Sequence, residues 1–152
     1  MNFLYSLLAA LFLASCAGPR DALIVKQFQL RDEEVKSFDE PSVRMEKLRR
    51  LHGAVSMQER REKLGQYYTM LWSDPEGVGQ GEVELVFEYQ QGASASRIKR
   101  MVRTFPANEG SGRTEFAVIG GDYFRNGRVT TWKATLRRGD RILATKQSYL
   151  WQ

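Results

Sequence analysis

From Glu82 to Tyr89 the chain alternates with a period of two. Val83, Leu85, Phe87 and Tyr89 fall on one side, and Glu82, Glu84 and Glu88 on the other with Val86 among them. Such alternation separates apolar from charged side chains only in an extended strand that is half buried in a sheet. Further segments of strand character lie at residues 22–31, 67–72, 97–105, 114–125, 128–138 and 141–151. The last five segments are joined by short loops, so antiparallel pairing is the economical connection.

Several short strands separated by turn signals predict a sandwich or a barrel. The expected class is mainly β: an antiparallel immunoglobulin-like sandwich of about seven strands, with one or two short helices near residues 43–64. The alternative is an α+β layout with those helices packed on a five-stranded antiparallel meander. Ser42 can N-cap a helix from Val43 to about His52, with Gly53 as its stop. Ser56-Met57-Gln58-Glu59 is a capping-box pattern that opens a second helix. Glu46 and Arg50, and Glu59 and Lys63, stand at i,i+4 in the supportive orientation. Gly120-Gly121 suggests a bulge, and Asn126-Gly127 a type I′ hairpin. Gly139-Asp140 marks another turn, which makes Arg138-Gly139-Asp140 turn chemistry rather than an adhesion tripeptide. Trp72, Trp132 and Trp151 are the expected aromatic core.

Charge is unevenly spread along the chain. Residues 65–96 carry five acids and no base, whereas 97–152 carry twelve bases and four acids. A hairpin whose paired numbers sum to 187 sets Glu88 opposite Lys99, Glu84 opposite Arg103 and Val86 opposite Met101. Such opposite charges each contribute about 0.2–1 kcal/mol. The bases left over, Arg125, Arg128, Lys133, Arg137, Arg138 and Arg141, are candidates for a basic surface patch at one or both ends of the sheet.

One cysteine and one histidine exclude an internal disulfide framework and a Cys-rich metal site, and disfavour histidine-based zinc or triad chemistry. No D-x-D-x-D-G calcium loop occurs. Gly77, Gly79 and Gly81 lack the following helix that a dinucleotide fingerprint requires. No metal or cofactor is expected. The paired acids Glu33-Glu34 and Asp39-Glu40 read as a solvated stretch.

Met1 to Ala17 carries no charged side chain, and Phe3, Leu4 and residues 7–13 form an apolar block that ends in Leu13-Ala14-Ser15-Cys16. The block is shorter than the roughly 20 residues a membrane span needs and has the length of a signal-peptide core. Together these residues resemble a bacterial lipoprotein signal with its lipobox. The resemblance implies that Leu13, Ala14 and Ser15 are read by the processing machinery, and that Cys16 is diacylglycerylated and becomes the first mature residue. It also implies a cleaved signal over 1–15, a lipidated cysteine and tether over 16–21, and a single β-rich domain over 22–152. Ala17, not being Asp, resembles the outer-membrane sorting pattern of such lipoproteins.

The expected function is therefore that of an exported, membrane-anchored, non-catalytic binding or assembly module of the cell envelope. Its partners would be the membrane, through the lipid, and an envelope protein or anionic envelope polymer, with no nucleic acid. The alternative is a small carboxylate-dependent envelope hydrolase or sugar-active protein. Whether two or more acids converge in a concave pocket separates the two.

Overall fold

The computed structural model describes residues 21–32, 40–77, 79, 81–94 and 97–151. Among them are seven strands in two antiparallel sheets. The first sheet has the order β1 (Leu23–Leu30), β2 (Gly65–Ser73), β5 (Ser111–Ile119); the second has β4 (Lys99–Phe105), β3 (Val83–Gln91), β6 (Val129–Arg138), β7 (Arg141–Gln147). Three helices accompany them: α1 (Pro41–Leu51), α2 (Met57–Lys63) and α3 (Gly120–Asn126). The mainly β expectation holds. The five-stranded meander does not: the strands divide into three and four, and α1 meets the outer face of the three-stranded sheet through Leu51.

The main core lies between the sheets. Tyr68, Phe87, Phe116 and Trp132 fill its centre, with the Tyr68 and Phe87 rings 4.7 Å apart and Phe87 and Phe116 stacked at 5.4 Å. A smaller cluster lies on the outer face of the first sheet. There Leu30 and Tyr67 meet Leu64 and the end of α1 at Leu51. β2 is thus covered on both faces, which is why its sequence shows aromatics on both sides rather than a clean alternation.

Local signals explain most boundaries. Ser56 and Glu59 form the reciprocal capping box at the start of α2. α1 starts one residue before the expected Ser42 cap, because Pro41 occupies the first turn, where its missing N–H costs nothing. The Gly120-Gly121 bulge and the Asn126-Gly127 hairpin are replaced by α3. Gly120 has φ +57 and its N–H donates to Leu64 O at 2.9 Å; an added Cβ would lie 2.8 Å from Glu62 O. Gly127, at φ +79, terminates α3 with its N–H on Tyr123 O. A type I′ turn and a helix C-terminus both ask for a glycine at positive φ, so the dipeptide fits either. β7 ends at Gln147 rather than continuing to Trp151, and Trp151 is half-buried, outside the core that holds Trp72 and Trp132.

The β3–β4 register differs by one residue from the expected pairing. Paired numbers sum to 188: Glu88 faces Arg100, Tyr89 faces Lys99, Phe87 faces Met101 and Leu85 faces Arg103. A one-residue slip turns a whole strand over. In the observed register Met101 and Phe105 point inward and pack on the core. Burying such a side chain contributes about 1.5–3 kcal/mol, more than the ~0.2–1 kcal/mol of a cross-strand ion pair. Glu84 instead finds Arg137 across β6, and Lys99 finds Asp122 at 2.6 Å.

Candidate functional site

Between α1 and the outer face of the first sheet runs an open groove of about 420 Å³. Pairing sets its floor. Lys26, Thr69 and Glu115 form one row across β1, β2 and β5, and Phe28, Tyr67 and Ala117 form the next. Arg50 of α1 lies over Phe28 and Tyr67 of the second row and pairs with Glu115 of the first, while Lys26 at the edge of that row stays exposed.

Arg50 of α1 organises the wall. Its side chain is only 4% exposed. Nη1 and Nη2 donate to Glu115 Oε1 and Oε2 at 3.0 and 2.6 Å, a bidentate pair, and Nη2 also lies 2.7 Å from Glu46 Oε1. The guanidinium stacks 3.6 Å from the Tyr67 ring centroid and 5.3 Å from that of Phe28. Thr69 Oγ1 donates to Glu115 Oε2 at 2.8 Å. The Glu46–Arg50 spacing noted in the sequence is therefore real, but it forms half of a cluster whose other half, Glu115, comes from a distant strand.

Two carboxylates thus converge at a concavity, and their protonation decides what they can do. The hydrogen bond from Arg49, aided by the charges of Arg50 and Arg49, pulls Glu46 down to about 2 against its partial burial. The hydrogen bond from Arg50 and that from Thr69 hold Glu115 below the usual carboxylate range, again against burial. Both are ionised at neutral pH, so neither holds a proton to give to a leaving group. Burial raises the Tyr67 phenol, which stays neutral beside them.

Depressed folded-state values stabilise the fold above the unfolded pKa of about 4.5, and that contribution is lost as pH falls towards 2. The Glu46→Gln and Glu115→Gln variants are expected to melt below wild type at pH 7 and to converge with it towards pH 2. Thermal unfolding across that range checks this; parallel curves would contradict it.

With its acids turned to Arg50, the groove presents Lys26 and Arg113, both exposed and without a side-chain partner among the described residues. Beside them lie the half-buried Phe28 ring, the exposed Ser42 and the buried Thr69, whose hydroxyl is held by Glu115. No group of three or more His, Cys, Asp or Glu side chains among the described residues is arranged to hold a metal ion.

The bases expected to form a patch do not come together. Arg125 and Arg128 flank Gly127 at one end of β6, whereas Arg137, Arg138 and Arg141 lie at the other, with Lys133 between. Arg138 is a correction: it is buried, its Nε 2.7 Å from Asp74 Oδ2, and so displays neither a patch nor an Arg-Gly-Asp tripeptide. Arg137 is paired with Glu84, and Arg141 with Glu76. Leu13, Ala14, Ser15 and Cys16 lie outside the described residues, as do Glu33, Glu34 and Asp39. Lys26, Arg113 and Phe28 carried no individual signal in sequence, since a cation or ring in a strand acquires a partner only through sheet register.

No protein-family model, curated protein or solved structure matches the chain.

Proposed function

We propose that this chain is a lipid-anchored, non-catalytic binding module of the bacterial envelope, and that the groove between α1 and the first sheet takes an anionic envelope polymer. The observation that carries the reading is the division of charge in the groove. Glu46 and Glu115 are turned inward onto Arg50, and Lys26 and Arg113 are left unpaired beside Phe28. Unpaired cations next to an aromatic ring suit a polysaccharide that bears carboxylate or phosphate, with a sugar face for the ring and a hydroxyl for Ser42. The ionised state of both carboxylates favours binding over the hydrolase alternative, which needs one of them protonated.

The lipobox resemblance of Leu13-Ala14-Ser15-Cys16 supports the anchor. From Ala17 to Asp21 the tether reaches at most roughly 18 Å, so the domain stays close to the surface that holds it. An immunoglobulin-like arrangement is part of the same proposal. Its support is the strand order: first, second and fifth strands in one sheet, with fourth, third, sixth and seventh in the other.

Co-sedimentation with purified anionic wall polysaccharide tests the function. Binding is expected to weaken as salt rises, and to fall at least tenfold in a Lys26→Glu, Arg113→Glu double variant that melts like the wild type. Equal binding by wild type and double variant would remove the groove from the function.

A further inference from the structure

Sheet edges present a second surface, independent of the groove. β4 stands at the end of its sheet and pairs with β3 alone. Among the described residues, no strand runs along its other side, so every second residue turns its N–H and C=O outward. The opposite edge is different: β7 lies against β1, and its Lys146 reaches Asp21 at 3.2 Å.

β4 is also the most basic strand. Arg100 and Arg103 within it, and Arg97 just before it, have no side-chain hydrogen bond or ion pair among the described residues, and all three are exposed. Ile98 and Val102 stand on the outer face with Arg100, 53% and 42% exposed. Arginines on a free edge discourage association with a second copy. Two β4 strands laid antiparallel with Arg100 against Arg103 would set like charges opposite each other at both positions. The same arginines complement an acidic strand.

We propose that the β4 edge accepts an extended acidic segment of a protein partner by strand addition, and that the segment carries two acids separated by two apolar residues. The spacing comes from β4 itself. Arg100, Met101, Val102 and Arg103 are consecutive, so a strand alongside needs an acid opposite each arginine and apolar residues between them. β3 already offers β4 a related pattern on the other side, with Glu88 opposite Arg100 and Val86 opposite Val102. Main-chain hydrogen bonds give the added strand its hold, and the two arginines choose it.

The test uses the full lipidated chain in detergent and the fluorescent peptide Ser-Thr-Glu-Val-Ile-Glu-Thr-Ser. Saturable binding by polarisation is expected, at least tenfold weaker for an Arg100→Glu, Arg103→Glu variant and unchanged for the Lys26→Glu, Arg113→Glu groove variant. A peptide with proline in place of valine, which lacks an N–H for the ladder, is expected to lose at least tenfold. Absence of binding, or equal binding of the proline peptide or of a scrambled acidic peptide, would overturn strand addition. Concentration-dependent self-association abolished by the arginine variant would overturn the choice of partner.

Discussion

Replacing Arg138 with alanine is expected to destabilise the fold by about 3–5 kcal/mol, the range for removing one partner of a buried ion pair. The side chain of Arg138 is 2% exposed and that of Asp74 is 0% exposed. Arg138 Nη1 donates to the carbonyls of Gly81 and Ala107 at 2.9 Å each, and Nη2 to that of Glu109 at 2.8 Å. One guanidinium therefore fastens β6 to the β2–β3 connection and to the loop before β5. The variant leaves the buried Asp74 carboxylate with only the Glu76 N–H and the longer Arg141 contact, and three carbonyls without this donor. Burial alone would raise the Asp74 carboxyl. The hydrogen bonds from Arg138 and the Glu76 N–H, with the charge of Arg141, outweigh it and keep Asp74 ionised. Arg141→Ala is the comparison: it removes an exposed pair with Glu76 and a longer contact of 3.4 Å with Asp74 but leaves the Arg138 bonds intact, so a smaller loss of about 1 kcal/mol is expected. Thermal unfolding of both variants checks the contrast. Equal shifts would contradict the clamp.

On the proposed lipobox, replacing Cys16 with alanine is expected to abolish lipid anchoring entirely. It is the only cysteine, so no second thiol can substitute for it. The precursor is expected to retain its signal, to migrate as a larger species and to incorporate no labelled palmitate. Each buried methylene contributes about 0.8 kcal/mol, and stable anchoring takes two acyl chains. Loss of the diacylglycerol therefore removes the membrane affinity that the lipid supplies. A Cys16→Ala protein processed and labelled like the wild type would contradict the lipobox.

The seven strands were legible because each carries its own signal: a period of two, β-branched and aromatic residues, and turn residues between. The Ser56–Glu59 cap was legible for the same reason, since all its parts lie within four consecutive residues. What the sequence could not convey depends on distant partners. Charge complementarity suggested the wrong β3–β4 register, because the burial of Met101 and Phe105 against other strands outweighs two surface ion pairs. Arg138 looked like a surface base until the fold brought Asp74 to it from 64 residues away. Arg50 displayed its helical neighbour Glu46 but not Glu115, 65 residues on. The groove is a property of sheet pairing beneath a helix, and no local pattern announces it.

Groove binding is tested most directly by an amide chemical-shift map of the protein titrated with a carboxylated oligosaccharide cut from the wall polymer. Saturable shifts are expected to concentrate at residues 26–28, 42–46, 69 and 113 and to be lost in the Lys26→Glu, Arg113→Glu variant. Shifts confined to the β4 edge around Arg100 and Arg103, in the other sheet, or no saturable shift at all, would contradict it.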